Sequence, residues 1–187
     1  MYTREEALGL LKEHTSSESL IKHAYAVEAA MRGYAKKYDE DVELWGLTGL
    51  LHDLDYEKHP DEHPMIGVRI LKEADYPMEL VDAVEGHGKP DALRETQLAK
   101  ALFAVDELAS FIVAYVLVRP DKSFEGIKTK SIKKKLKDKA FARGVDRELV
   151  KLGAEQLGVD LTDHINLISD ALYQWEEELN THGESLV

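Results

Sequence analysis

The chain has 187 residues, of which 44% are hydrophobic and 32% charged, and it carries a net charge of −12 with no cysteine. That length suffices for one domain with a real core, and the missing cysteines exclude disulfides, thiolate zinc sites and cysteine nucleophiles while suiting a cytoplasmic setting. The acidic balance argues against general nucleic-acid binding, no run of about 18 apolar residues offers a membrane span, and Met1 to Glu6 lack the apolar core of a signal peptide.

Residues 3–14 read as a short amphipathic helix with Ala7, Leu8, Leu10 and Leu11 inward. Ser16 and Ser17 suit the cap of a second helix running to about Tyr38, with Leu20, Ala24, Val27, Met31 and Tyr34 as its stripe and His23 beside it. The next segment, 44–56, places Leu44, Leu47, Leu51 and Leu54 at helical spacing, so it belongs inside the fold. Gly46 and Gly49 there permit close approach of another backbone. A polar turn with Pro60 and Pro64 leads into a helix to about Ala74, and Pro77 starts another over 78–85 that stops at Gly86-His87-Gly88. Residues 94–118 form a long apolar helix ended by Arg119-Pro120, with Asp106 on the flank of its stripe. A lysine-rich segment, 121–145, follows, in which Ser131 could cap a short helix. Helices near 146–156 and over 161–182 complete the chain, and no useful β-alternation or repeat occurs. The expectation is an all-α, irregular helical bundle with its site between helices.

Four polar residues lie on or beside apolar stripes: His23, His52, Asp53 and Asp106. A buried charged Asp next to a His is costly unless compensated, and a divalent cation compensates it by taking both as ligands. Neighbours on a helix point about 100° apart, so other helices must bring further ligands. Singly, each residue reads as a hydrogen-bonded core group; together, in the order His…His-Asp…Asp, they point to a metal.

At these residues the sequence resembles the HD-domain superfamily of metal-dependent phosphohydrolases. The likeness covers about residues 18–118, leaving 121–187 as a C-terminal helical extension of a single domain. It implies His23, His52, Asp53 and Asp106 as direct ligands of a divalent transition metal (Mn, Fe, Co, Ni or Zn). His63-Pro64 and Gly86-His87 match places where members with two ions per chain carry extra histidines, so His63 and His87 are candidates for a second ion. Some members carry a Glu-Asp pair where this chain has Tyr56-Glu57, and others Gly-Lys where it has Asp55-Tyr56. The general acid is therefore open among Asp55, Glu57 and His87. His14, His59, His164 and His182 read as surface, loop or terminal residues.

The resemblance implies hydrolysis of a phosphoester of a nucleotide or other small phosphorylated metabolite by a metal-activated water, with Asp53 and Glu57 as the catalytic carboxylates. Two alternatives stand beside it: a di-iron oxygenase, kept open by His63 and His87, and a non-catalytic signalling module with a structural metal. Lys128, Lys130, Lys133, Lys134, Lys135, Lys137 and Lys139 reverse the local charge and read either as a solvated face or as a collector of anions. The stripe of the last helix could pack its own core or a second subunit in a homo-oligomer.

Overall fold

The computed structural model describes residues 2–187, and among these it contains nine α-helices and no strand. They are α1 (Arg4–His14), α2 (Glu18–Tyr38), α3 (Val42–Leu51), α4 (Met65–Glu73), α5 (Met78–His87), α6 (Gln97–Leu117), α7 (Thr129–Leu136), α8 (Arg147–Leu157) and α9 (Leu161–Thr181). Most starts are set by side chains that accept orphan backbone N–H groups. Thr3 and Glu6 form a reciprocal capping box, and Asp41, Thr96, Asp146 and Asp160 cap α3, α6, α8 and α9. No described helix is long and apolar enough to cross a membrane.

Over its central turns α2 is buried all round, and a helix of that kind must lie at the centre. In α2 the residues from Ala24 to Arg32 are buried without a break, and their many alanines keep the helix thin. α3, α6 and α9 pack on it, while α5 and α8 pack on α6. Gly49 sets the α2–α3 approach, because a Cβ there would lie 2.8 Å from the backbone of Val27 and Glu28. Gly46 instead faces the side chain of Arg32, so only one of the two glycines meets a neighbouring backbone.

The one carboxylate buried deep in α2, Glu28, is paired from two sides. Arg4 Nε and Arg32 Nε reach its Oε1 at 2.9 and 3.0 Å, and Arg32 also holds Glu43 at 2.7 Å. Arg32 further lies over the Trp175 ring, which ties α9 into the same network. Such a cluster is costly to break at one partner, since the remaining charge is left buried.

The helices lie where the periodicity places them, with corrections at their ends. α5 runs on to His87, and α6 starts at Gln97, leaving Arg94 outside it to bind the carbonyls of Lys89, Pro90 and Ala92. Ser17 precedes α2, but its hydroxyl makes no cap bond; the carboxylate of Glu57 accepts from Ser16 N and Ser17 N instead. Ser131 lies inside α7 and does not cap it.

His164 is the larger correction, for it is fully buried and not on a helix surface. Its Nε2 donates to Ala104 O at 2.9 Å, so Nδ1 is bare and accepts from the Tyr34 hydroxyl at 2.5 Å. Burial pushes this imidazole down from 6.5 to about 4. A depressed base stabilises the fold fully above 6.5 and loses that contribution as pH falls through about 4. Urea titrations between those limits should show His164→Gln with a flatter pH dependence than the parent, by up to ~3 kcal/mol across the window. Parallel curves would mean the ring is not buried neutral.

Candidate metal centre

Five segments meet at one point. His23 comes from the second turn of α2, His52 and Asp53 from the exit of α3, His63 from the turn before α4, His87 from the end of α5 and Asp106 from α6. Asp53 sits between two pairs of imidazoles. Its Oδ2 lies 3.3 Å from Nε2 of both His23 and His52, and its Oδ1 lies 3.3 Å from Nε2 of both His63 and His87. Asp106 Oδ1 joins the first pair, 3.2 Å from His23 and 3.6 Å from His52.

Each ring is fixed through its other nitrogen. His52 Nδ1 donates to Gly49 O at 2.8 Å and His87 Nδ1 to Val84 O at 2.6 Å, in both cases a carbonyl one turn back. Both residues stand at helix C-termini, where the last carbonyls lack intrahelical partners. His63 Nδ1 donates to Asp55 Oδ1 at 2.7 Å, and Asp55 Oδ2 accepts from Gly67 N. His23 Nδ1 pairs with Ser110 Oγ at 2.9 Å. All four Nε2 atoms are therefore directed at Asp53, as metal-ligating histidines require. The turn bearing His63 reaches α5 because Gly88 leaves room for Pro64; a Cβ on Gly88 would lie 2.5 Å from Pro64 Cδ.

The electrostatics call for a cation. His23 and His52 bring their Nε2 atoms to 3.1 Å of each other, a contact of two lone pairs unless a proton or metal lies between. Burial works against charging either ring, but hydrogen bonds to Asp106 and Asp53 lift His23 to about 9, and Asp53 and Asp106 hold His52 well above its ordinary value. Burial also works against the carboxylates, yet the imidazoles keep Asp53 and Asp106 well below the usual range. The donor set is thus carboxylate oxygen and imidazole nitrogen, which suits divalent first-row ions. Two overlapping groups of three could hold one: His23 with His52 and Asp106, and His52 with Asp53 and His87.

The remaining candidates lie elsewhere. Glu57 makes no hydrogen bond or ion pair to the six residues; its carboxylate is taken by Ser17 N and by Ser16, which also depress its titration. Asp55 is fully buried, with both oxygens engaged in holding His63 and Gly67. His59 pairs with Glu62 and His182 with Glu178 at the surface, and His14 ends α1. Ser110 is a site residue that the sequence reading passed over. Its signal was position, one turn after Asp106 and hence on the same face of α6.

Removing these outer partners should loosen the metal without removing a ligand. Asp55→Ala frees His63, and Ser110→Ala frees His23. Each should weaken metal retention about 10–100-fold in a chelator competition while the helical circular-dichroism signal stays unchanged. Affinities equal to the parent in both variants would mean that the rings are held by something else.

Comparison with known proteins agrees with this geometry. The family model described as HD domain matches residues 20–110, a span that contains all six side chains. An uncharacterized protein of Methanocaldococcus jannaschii is 32% identical over 130 residues, 66% of this chain and 76% of that protein. Ribonuclease Y of Lawsonia intracellularis is 28% identical over an alignment covering 95% of this chain but only 35% of the ribonuclease. No solved structure matches. The helical architecture, the ordered His and Asp positions and the family match lead to one assignment: the chain belongs to the HD-domain superfamily, whose members are mostly metal-dependent hydrolases.

Proposed function

We propose that the chain is a metal-dependent phosphohydrolase that cleaves the phosphoester of a nucleotide or another small phosphorylated metabolite. The observation that carries this reading is the placement of Asp53, with one carboxylate oxygen 3.3 Å from each of two histidine pairs. His23, His52, Asp53 and Asp106 would hold one divalent transition-metal ion, and Asp53 with His63 and His87 a second. Ions bound there supply an acidified water near neutral pH and charge to stabilise the phosphoryl oxygens.

The protein's own groups do the rest. Asp53 stays ionised and can accept a hydrogen bond from the attacking water. Side-chain exposure sets the direction of approach: Asp106, Asp53 and His23 are 27%, 19% and 17% exposed, whereas His52 is fully covered and His87 is 3% exposed. A substrate would therefore enter over Asp106 and Asp53, with His52 and His87 at the floor. Glu57, expected from the sequence as a catalytic carboxylate, has its oxygens committed to the start of α2 and is left out of the mechanism.

The Lawsonia relative is a ribonuclease by name, which agrees with phosphoester chemistry. The net charge of −12 favours a small substrate over a long polyanion. A second reading, a di-iron oxygenase, draws on the convergence of His63 and His87 with Asp53. Oxygen consumption and iron content separate it from a hydrolase.

Metal analysis combined with a phosphoester panel, with Mn²⁺, Co²⁺, Ni²⁺, Fe²⁺ or Mg²⁺ added back, tests the proposal. The parent should hold about two metals per chain and His87→Ala about one. Asp53→Ala should lose both the metal and the hydrolysis, since direct ligands cost more than the roughly 10–100-fold of outer partners. A fully active Asp53→Ala enzyme would remove the basis of the assignment.

A further inference from the structure

A cavity rich in basic side chains lies outside residues 20–110. This cavity, of about 1010 Å³, opens between α7, the loop 137–146 and the start of α8, with Leu161 of α9 at its edge. Six lysine and arginine side chains line it against two acids, Asp146 and Glu148, in a chain that is strongly acidic elsewhere. Both acids are already committed. Asp146 caps α8 by accepting from Glu148 N and Leu149 N, and Glu148 pairs with Lys151 at 2.7 Å. Lys137, Lys139 and Arg143 have no ion-pair partner among the described residues. Below them Leu136, Val145, Val150 and Leu161 supply an apolar floor.

Arg147 shows that this charge is built in. Its guanidinium donates to the carbonyls of Asp138, Phe141, Ala142 and Val145, so the loop is wrapped around it. Ala142 turns there at a φ of 42°, left-handed backbone that a side chain resists. No carboxylate neutralises Arg147 among the described residues, and its Nε is buried without a partner. A face that lysines merely solvate has no need of a fixed arginine, a strained loop or an apolar floor. A cavity of this volume with a few convergent charges is the size of a small-ligand site.

We propose that this cavity binds a small organic polyphosphate, of the size of a nucleoside triphosphate, separately from the metal centre. Lys137, Lys139 and Arg143 meet the phosphates, Arg147 adds its fixed charge, and the organic part covers Leu136, Val145, Val150 and Leu161. Occupancy also has a line to the metal helix. Asp146 N donates to Glu107 Oε2 at 3.0 Å, and Glu107 adjoins Asp106 on α6.

Calorimetric titration of the metal-loaded full chain tests the proposal with three probes: the non-hydrolysable analogue AMP-PNP, inorganic tripolyphosphate and a 12-nucleotide single-stranded RNA. The groove variant is Lys137→Gln/Lys139→Gln/Arg143→Gln, three exposed changes whose effect on folding is checked by melting. AMP-PNP should bind the parent, weaken by at least about tenfold in the groove variant, and keep its groove affinity in His52→Ala. Raising the salt should weaken it further in the parent than in the variant, because exposed charges are screened. Tripolyphosphate should bind less tightly than AMP-PNP, since it leaves the apolar floor uncovered. Several results would overturn the proposal: equal AMP-PNP affinity in parent and groove variant, loss of all binding in His52→Ala, equal affinity for tripolyphosphate, or binding of the RNA alone.

Discussion

The constraint from which the centre follows is that two partly exposed, ionised carboxylates are packed against imidazoles, Asp53 against four and Asp106 against two. Carboxylates in such a place are tolerated only when positive charge sits with them. Protons can supply it in part, since Asp106 and Asp53 raise the titration of His23 and His52. A divalent ion supplies it better, because it satisfies the facing lone pairs of His23 and His52 that a single proton can only share. Ligand geometry, the acidity of the carboxylates and the closeness of the rings are then three consequences of one charge balance.

The fold's contribution is to bring these side chains together from five segments. Helix ends do much of this. His52 and His87 stand where α3 and α5 stop, so their Nδ1 atoms use carbonyls that a continuing helix would have occupied. The partial negative charge of those ends also favours a cation nearby. Small residues set the distances: Gly49 lets α3 lie against α2, and Gly88 lets the His63 turn lie against α5. Each is a backbone decision that fixes a side-chain nitrogen several ångströms away.

Much of this was legible in the sequence, and the reason is physical. His23, His52, Asp53 and Asp106 interrupt apolar stripes, and a polar group on a stripe needs a partner, so the pattern itself announces a site. Their company with His63 and His87 rested on resemblance, and the structure brings all six together. Position decides the remaining cases more than residue type does. By type His164 reads as a surface residue, yet it stands one turn from both Leu161 and Ile168, on the buried stripe of α9. Ser110 was passed over for the same reason. Glu57 was a catalytic candidate because it neighbours the motif; that it crosses to the start of α2 depends on tertiary packing, which no local pattern encodes.

On the proposed function, Asp53 would hold two divalent ions, with His23, His52 and Asp106 on one side and His63 and His87 on the other. Anomalous diffraction from crystals of the protein grown with Mn²⁺ measures this directly. Two peaks are expected about 3.5–4 Å apart, one among His23, His52 and Asp106 and the other beside His63 and His87, with Asp53 between them. A single peak with His63 and His87 unligated, or no peak within reach of Asp53, would contradict it.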